Sequence, residues 1–372
     1  MTASRSIPLA VPDLRGNETR YLAECVADNW VSTAGPRVVE MENRVAALTG
    51  RRFAVATVNG TTAIQLALTA SGVRPGDLVI VPDWTFAASA AAIYHAGAEA
   101  YFVDVSAESW TIDPNLIREA LKHAPRKVGA VLAVHACGHP ADMDPIRAAC
   151  DAAGVPLLED AAGAIGARYK GRPAGSFGDA AIFSFNGNKT VTAGGGGMVM
   201  TDDERIAKRV RHLSTTARIG ANYEHDEVGF NFRMTNLNAA VGVAQLERLD
   251  EMIRAKKAIA DRYDWAIKNR SDLAAMPRMP WADSSCWLYN LRTSSPDAAR
   301  SLVAHLNARQ IEARTFWLSL SAQKPYAAAP RLLSGVAERL LSGRCVSLPC
   351  SSHLGAADQA RVIEAANDWR SA

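Results

Sequence analysis

Short apolar runs that alternate with helix-like segments between residues 52 and 200 constrain the fold of this chain more than any other feature. Seven runs stand out, and they are FAVATV, LVIVP, AEAYFVDV, VGAVLAVHA, VPLLEDA, AAIFSF and GMVMT. Apolar runs without polar interruption indicate strands that are buried on both faces. Because helix-like segments separate most of these runs, we predict an α/β fold whose mostly parallel sheet is covered by helices on both faces.

The second half of the chain predicts a smaller, separate domain. A long helical pattern runs through LNAAVGVAQLERLDEMIRAKKAIADRYDWAI, and the strand-like WLYNLRT and the helix-like AARSLVAHLNARQ follow it. A helix of that length can bridge two domains. We therefore predict a large α/β domain over residues 1–250 and a smaller C-terminal α+β domain over residues 251–372.

Charge and hydropathy exclude several classes of partner. The 372 residues include 41 Lys and Arg against 38 Asp and Glu, and no stretch gathers five or six like charges. Such a chain has no electrostatic footprint for nucleic acid or for an anionic membrane. It has no apolar run typical of a signal peptide or a membrane helix. We expect a cytoplasmic protein with a small-molecule partner, no nucleic acid and no membrane.

A metal site has only weak support in this sequence. The six cysteines are scattered and none forms a CxxC pair, which favours buried thiols. The cluster His135-Ala-Cys137-Gly-His139 offers ligand types that zinc accepts, but no second cluster would complete the coordination. A strand end that enters a loop explains it better, so we predict no metal.

An acid and a lysine follow two of the apolar runs. Asp160 ends the run in LLEDAAGA, and Lys189 follows AAIFSF within SFNGNKTVTAGGGG. Functional side chains gather at the carboxyl ends of parallel strands. Alone, Asp160 could be a helix cap and Lys189 a surface residue. Together they are typical of a pyridoxal-phosphate site, which needs a reactive amine and a carboxylate that keeps the ring nitrogen protonated.

A phosphate anchor is present in the same half of the chain. The segment NGTTAIQLALTASG follows the strand FAVATV and opens a helix, so N–H groups and the positive helix end would meet an anion at Gly60 and Thr61. Ser184 could add a hydroxyl to the same phosphate. By itself this turn is also an ordinary helix cap. Four successive glycines after Lys189 indicate that the backbone approaches another group closely.

Six motifs give the chain a specific resemblance to a known family. They are NGTTA, PDWTFAASA, LEDAAGA, GSFGDAAIFSFNGNK, GGGGMV and GFNFRMTNLNAAVGVAQLE. In this order and spacing, over roughly residues 8 to 350, they resemble the DegT/DnrJ/EryC1/StrS sugar aminotransferases. The resemblance implies the aspartate-aminotransferase-like fold (fold type I) and pyridoxal 5′-phosphate as cofactor, with pyridoxamine 5′-phosphate as its intermediate form.

The resemblance also assigns roles to individual residues. It makes Lys189 the Schiff-base lysine and Asp160 the partner of the pyridine nitrogen. The remaining assigned residues would also bind the cofactor. Gly60, Thr61 and Ser184 would contact its phosphate, and Phe86 would stack on its ring. Asn231 would reach the phosphate from the other subunit of a homodimer with shared active sites.

Two positions depart from the family pattern. Gly163 stands where the family often has Gln, His or Glu near the ring hydroxyl. Ser321 stands where the family usually has a histidine in the segment ARTFWLSLSAQKPY. The assignment of Lys189 does not depend on either position. With Gly163, the hydrogen bond to the ring hydroxyl must come from another residue or from water, and Ser321 affects the expected contacts to the sugar.

The resemblance implies amino transfer from an amino acid, with L-glutamate expected as donor and 2-oxoglutarate as its product, to C4 of a nucleotide-linked 4-keto-6-deoxy sugar. This would serve surface polysaccharide or glycan biosynthesis. The stretches HACGHPADMD and HDEVGFN favour a UDP-linked N-acetylhexosamine, and GDP-4-keto-6-deoxymannose is the alternative. Guanidinium groups suit phosphates and indoles can stack on bases. Candidate substrate contacts are therefore Trp30, Arg233, Arg314 and Trp317.

Other functional classes fit the sequence less well. No GxGxxG opens a helix after the first strand, which argues against a nicotinamide-dependent dehydrogenase. The motif GxxxxGK[ST] is also absent, which argues against a phosphate-loop kinase. Within the family, dehydratases that replace the lysine by histidine are disfavoured by Lys189. A non-catalytic cofactor-binding regulator would carry an added DNA-binding domain or a broken lysine–aspartate pair, and neither is seen.

Overall fold

A computed structural model describes residues 6–370, and its centre is an eight-stranded sheet. The strand order in this sheet is β1-β9-β8-β5-β4-β2-β3-β16. The strands are β1 Phe53–Thr57, β2 Leu78–Pro82, β3 Glu99–Val103, β4 Val128–Val134, β5 Leu157–Asp160, β6 Arg168–Tyr169, β7 Arg172–Pro173, β8 Ala180–Ser184, β9 Gly197–Thr201, β10 Arg218–Ile219, β11 Glu224–His225, β12 Leu273–Ala275, β13 Ala282–Asp283, β14 Tyr289–Thr293, β15 Arg314–Thr315, β16 Arg331–Leu332 and β17 Cys345–Leu348.

Most of the helices lie between strands in the sequence, and five of the eleven begin at a residue whose side chain caps the helix. Asn59, Asp113 and Ser295, for example, each accept a backbone N–H of the helix that follows, as expected for N-cap side chains. The helices are α1 Glu18–Ala27, α2 Pro36–Thr49, α3 Gly60–Ala70, α4 Ala87–His95, α5 Pro114–His123, α6 Met143–Ala153, α7 Glu204–Ser214, α8 Asn236–Leu246, α9 Leu249–Ile267, α10 Pro296–Asn307 and α11 Ala356–Asp368, with single turns at Ala136–Gly138, Lys324–Tyr326 and Ala337–Leu341.

The large sheet confirms the predicted fold class. All seven apolar runs form strands of this sheet, and β2, β3, β4, β5 and β8 pair in parallel. β9 is antiparallel to both of its neighbours, β1 and β8. Apolar clusters pack on its two faces. The result is the mostly parallel, doubly covered sheet that continuous apolar strands require.

The long helix expected after the sheet is two helices instead of one. α8 ends at Leu246 and α9 begins at Leu249. No glycine or proline marks the break, which coincides with tertiary contacts of the two residues between the helices. Glu247 accepts a hydrogen bond from the Tyr21 hydroxyl at 2.6 Å, and Arg248 pairs with the buried Asp13 at 3.1 Å.

A second sheet, of order β12-β14-β17-β15, lies in the C-terminal part of the chain. Its apolar cluster includes residues of α9, α10 and α11, and also Ile7, which bridges to Ile311. Conversely, β16 belongs to the C-terminal part of the sequence but pairs with β3 of the large sheet. The domain boundary near residue 250 stays a prediction. Ile7 and strand β16 each pair with a part of the chain that lies on the other side of this position.

Within residues 6–370, no helix combines the length and the apolar character that crossing a membrane requires.

Candidate active site

A cavity of about 840 Å³ opens at the carboxyl ends of the parallel strands. Val134, Asp160 and Ser184 are the last residues of β4, β5 and β8, and all three line it. This is the edge at which an open α/β sheet binds ligands. The cavity brings together eight of the eleven predicted site residues, namely Gly60, Thr61, Phe86, Asp160, Ser184, Lys189, Arg314 and Trp317.

One corner of the cavity is shaped for an anion. Asn59 caps α3 by accepting the N–H of Thr62 at 2.9 Å, and the first turn of the helix faces the cavity at Gly60 and Thr61. A Cβ at Gly60 would lie 2.8 Å from the Cβ of Ser184, so only glycine lets the Ser184 hydroxyl approach the helix end. A hydroxyl beside first-turn N–H groups is a site that could hold a phosphate.

Two of the four glycines, Gly196 and Gly197, show the expected close approach to other groups. A Cβ at Gly197 would lie 2.5 Å from the carbonyl oxygen of Asn59, the residue that caps α3. Gly196 has a φ of +127° and no room for a side chain beside Met234. The start of β9 therefore packs directly against the anion corner, and glycine is required because the partner there is backbone.

The Asp160 carboxylate is held at the cavity wall by hydrogen bonds to both of its oxygens. It is 5% exposed. The Ser89 hydroxyl donates to its Oδ2 at 2.7 Å, and the Ala162 N–H donates to its Oδ1 at 3.1 Å. Thr85 contacts the Ser89 hydroxyl at 3.1 Å. A carboxylate fixed in this way can hold a protonated ring nitrogen.

The preceding residue, Glu159, is fully buried and orders the same strand end. It accepts hydrogen bonds from the His135 ring at 3.0 Å and from the backbone N–H groups of Gly175, Phe177 and Gly178. Burial would raise the pKa of Glu159, but these donors outweigh it and the pKa is lowered. The carboxylate therefore stays charged and fixes the loop beneath Asp160.

The histidines of the cluster weighed as a metal site have protein partners. Nδ1 of His135 accepts the Ala141 N–H at 3.0 Å, which leaves Nε2 to donate to Glu159. His139 contacts the carbonyl oxygen of Pro140 and accepts the N–H of Met279. Cys137 is buried, and burial raises its thiol pKa well above the ordinary value. These contacts favour the strand-end interpretation over a zinc site.

Lys189 lies on the cramped turn that the sequence predicted. Its N–H donates to the Asn186 carbonyl at 3.0 Å, and its side chain lines the cavity. Burial lowers the pKa of its amine to about 8, although the charge of Asp160 acts in the opposite direction. A lysine with such a pKa supplies more free amine at neutral pH than a surface lysine does, which suits a nucleophile.

Three candidate residues lie outside this cavity. Trp30, Asn231 and Arg233 are exposed, and none of them lines the cavity of this chain. Their predicted roles toward substrate or a second subunit stay predictions.

Ser321 is also separate from the cavity. It is 3% exposed, its N–H donates to the Asp83 carboxylate at 2.7 Å, and its hydroxyl faces Ser319. It joins the C-terminal part of the chain to the end of β2 and does not contact the cavity.

Two residues of this site were missed in the sequence. Ser89 carried a weak signal, because it is the one hydroxyl residue in the apolar segment AASAAAI of α4. Trp287 carried none, since it precedes β14 and reaches the cavity only through tertiary packing. The Lys189 amine lies 3.4 Å from the centroid of its ring.

Together these groups fit pyridoxal phosphate. Gly60, Thr61 and Ser184 form an anion corner, Asp160 is a buried and ordered carboxylate, Lys189 is an amine with a lowered pKa, and Phe86 exposes 59% of its surface beside them. The site could hold the phosphate, the ring nitrogen, the aldehyde carbon and the ring face of that cofactor.

Comparison with known proteins identifies the family. Residues 12–367 match the DegT/DnrJ/EryC1/StrS aminotransferase family. The chain belongs to this family. The family consists of sugar aminotransferases that depend on pyridoxal phosphate. This chain is therefore a pyridoxal-phosphate-dependent transaminase. The resemblance seen in the six motifs, the fold type and the cofactor are thereby confirmed.

Curated members of the DegT/DnrJ/EryC1/StrS family align along most of the chain. GDP-perosamine synthase of Caulobacter vibrioides is 36% identical, with 96% of this chain and 97% of the relative covered. GDP-perosamine synthase of Vibrio cholerae is 38% identical over 84% of each chain. The dTDP-3-amino-3,4,6-trideoxy-alpha-D-glucose transaminase of Streptomyces venezuelae is 34% identical, with 97% of this chain and 94% of the relative covered.

Solved structures of the DegT/DnrJ/EryC1/StrS family have the same fold. DesV of S. venezuelae, in complex with a ketimine intermediate, is 33% identical with a TM-score of 0.90, and 99% of this chain and 100% of that chain are covered. The sugar aminotransferase CalS13 of Micromonospora echinospora is 25% identical with a TM-score of 0.88, covering 98% of this chain and 100% of that chain.

Proposed function

We propose that this enzyme transfers an amino group from L-glutamate to C4 of a nucleotide-linked 4-keto-6-deoxy sugar for surface polysaccharide or glycan biosynthesis. The observation that supports it most is the convergence, in one cavity, of the Lys189 amine, the Asp160 carboxylate and the anion corner at α3. The GDP-perosamine synthases and the dTDP-sugar transaminase among its relatives support a nucleotide sugar as acceptor.

Each residue has a definite task in this proposal. When bound, pyridoxal phosphate supplies an aldehyde that takes up the amino group and a ring that stores electrons. Lys189 would hold the cofactor covalently and, as a free amine, would take up and return the proton at the reacting carbon of the substrate. Asp160 would keep the ring nitrogen protonated. Gly60, Thr61 and Ser184 bind the phosphate and fix the orientation of the ring.

The acceptor would occupy the part of the cavity formed by the C-terminal region. Arg314 and Trp317 line it together with Glu312 and Phe316. Arg314 is exposed and its guanidinium pairs with Glu312. An exposed ion pair contributes little to stability, so Arg314 can give it up without much cost. Its guanidinium can then bind a diphosphate through two hydrogen bonds. Trp317 is stacked on Phe316 with 4.3 Å between the ring centroids, and this aromatic pair is a surface against which a base can pack.

For the nucleotide, the relatives favour a guanosine sugar. GDP-perosamine synthases from two organisms align over 84% and 96% of this chain. We therefore place GDP-4-keto-6-deoxymannose first among the acceptors. The UDP-linked N-acetylhexosamine favoured by the stretches HACGHPADMD and HDEVGFN is the second candidate.

A panel of acceptors tests the proposal directly. Enzyme converted to its pyridoxamine form with glutamate would be mixed with 4-keto-6-deoxy sugars that carry GDP, UDP or dTDP, and the amino sugar would be quantified by mass spectrometry. Rapid product formation with one keto sugar, and none with the matched 4-hydroxy sugar, supports the proposal. Amination of none of them would contradict it. The Lys189→Ala variant is the control and should form no product.

A homodimer with shared sites is the second part of the proposal. Asn231 is exposed next to a segment with exposed apolar side chains, where Tyr223 and Val228 are 88% and 89% exposed. A partner subunit would cover such a surface. If Asn231 completes the neighbour's site, co-expressed Lys189→Ala and Asn231→Ala chains should regain roughly a quarter of wild-type activity, because half of the dimers are mixed and each has one intact site. No recovery would exclude sharing.

A further inference from the structure

The indole of Trp287 forms the surface on which the Lys189 amine rests. The Nζ atom of Lys189 lies 3.4 Å from the centroid of the Trp287 ring, which is a cation–π distance. Both residues line the cavity, and Trp287 is 6% exposed. The ring therefore offers one face to the amine and is otherwise enclosed by protein.

Contacts from three directions fix this ring. Its Nε1–H donates to the carbonyl oxygen of Asn188, the residue before the lysine, at 2.8 Å. The backbone carbonyl oxygen of Trp287 accepts a hydrogen bond from the buried amine of Lys256 at 3.1 Å. The third contact is with Gly163, where a Cβ would lie 2.3 Å from Cε3 of the ring. The position of the indole thus requires glycine at residue 163.

The amine has few other partners in this part of the cavity. The charged or titratable groups that act on it are Asp160, at the end of β5, and Cys137, after β4, and the cavity lining adds His135, Glu312 and Arg314. The carboxylate oxygens of Asp160 already accept hydrogen bonds from Ser89 and Ala162. An indole face stabilises an ammonium group without forming a directional bond that would hold back its proton.

We propose that Trp287 is a positioning residue that holds the Lys189 amine on its ring face whenever the amine is not bonded to the cofactor, and that Gly163 provides the space for this ring. The inference rests on the proposed role of Lys189. A transaminase lysine must leave the cofactor, stay close to the reacting carbon and return. A fixed apolar face beside the lysine turn keeps the amine within reach through these steps.

Capture of pyridoxal phosphate by the cofactor-free full chain tests this without any turnover. Only the unprotonated amine reacts, so the pH dependence of the rate of growth of visible absorption reports the pKa of Lys189. In the wild type the midpoint should lie near 8. Trp287→Leu keeps the site apolar but removes the π face that stabilises the ammonium. Its midpoint should therefore fall by about one pH unit, and its plateau rate by about tenfold.

Conservative and matched variants separate this role from general packing. Trp287→Phe keeps an aromatic face and should recover at least half of the lost midpoint shift. Trp265→Leu is the matched control, because the Lys268 amine lies 4.8 Å from the ring centroid of the exposed Trp265 and neither residue lines the cavity. It should behave as wild type. Thermal denaturation of each variant establishes that it is folded.

The space at residue 163 gives an independent test. Gly163→Ala should push the indole away and shift the midpoint in the same direction as Trp287→Leu. Adding Trp287→Phe to Gly163→Ala should bring the value back toward that of Trp287→Phe alone, because the smaller ring leaves room for the methyl group. The inference is wrong if folded Trp287→Leu and Gly163→Ala both match the wild type. By contrast, covalent capture by Lys189→Arg would overturn the role of the lysine itself.

Discussion

The hydroxyl of Ser89 donates a hydrogen bond of 2.7 Å to the Oδ2 of Asp160, from α4 to the end of β5. A hydrogen bond to a charged group contributes about 1.5–3 kcal/mol. Because the proposed task of Asp160 is to stay charged beside a protonated ring, we expect Ser89→Ala to lower kcat by about 10- to 100-fold. Steady-state kinetics at saturating glutamate would measure this.

Ser71→Ala is the matched control for that substitution. The Ser71 hydroxyl is also buried, and it has no hydrogen-bond partner among residues 6–370. Its removal should leave kcat unchanged and should not lower thermal stability, because a buried hydroxyl without a partner costs free energy. A Ser89→Ala enzyme with wild-type kcat would show that Asp160 does not need this donor.

Gly60→Ala should weaken binding of the cofactor phosphate. The added Cβ would lie 2.8 Å from the Cβ of Ser184 and would force the hydroxyl away from the start of α3. We expect the Kd for pyridoxal phosphate to rise by about tenfold or more, because one hydrogen bond to a dianion is lost. Titration of cofactor-free protein, followed by visible absorption, measures it. Gly355→Ala, where the methyl group meets nothing within 4 Å, should bind normally.

Glu159→Gln should destabilise the protein and change its response to acid. The carboxylate accepts three backbone N–H groups and the His135 ring, and an amide would turn donors toward some of them. We expect a loss of about 3 kcal/mol in the free energy of unfolding at pH 7, as measured by urea denaturation.

The pH dependence follows from the lowered pKa of Glu159. Since the pKa is lower in the folded protein than its ordinary value of 4.5, the carboxylate stabilises the fold above that value. The stabilisation disappears as the pH falls through and below it. The variant should therefore lose less stability than the wild type as the pH falls below 4.5. Glu204→Gln, which removes only an exposed pair with Lys208, should keep the wild-type profile.

Ser321→Ala should leave the sugar KM within about twofold of the wild type, because the Ser321 hydroxyl faces Ser319 and not the cavity. The connection to β2 runs through its N–H, which alanine retains. Arg314→Ala provides the contrast and should raise the KM for the nucleotide sugar by about tenfold or more, since a charge-assisted hydrogen bond is lost. An unchanged KM in Arg314→Ala would remove this residue from the proposed acceptor site.

The sequence predicts those parts of the molecule whose burial follows a simple pattern. Seven of the eight strands of the large sheet could be identified, because strands covered on both faces are apolar throughout. Lys189 could be identified because phenylalanine, asparagine and glycine around it exclude a solvated helix face. The helix break at Glu247 could not be predicted, since it depends on Tyr21 and Asp13, more than 200 residues away.

The same reason explains what was missed at the site. Trp287 contacts a lysine that lies about 100 residues earlier in the sequence, and no local pattern around it differs from an ordinary strand start. Ser89 has a role in the site only because its hydroxyl donates to Asp160 at the end of β5. Side chains that act through distant partners leave little trace in their own neighbourhood.

The pairing of Arg331 and Leu332 with Phe102 and Val103 affects how the chain can be made. Without these two residues, β3 would be an open edge that could pair with strands of other molecules. During synthesis this edge stays uncovered until more than 200 further residues have left the ribosome. Nascent or C-terminally truncated chains should therefore be prone to aggregation, and expression at low temperature or with chaperones should increase the yield of native enzyme.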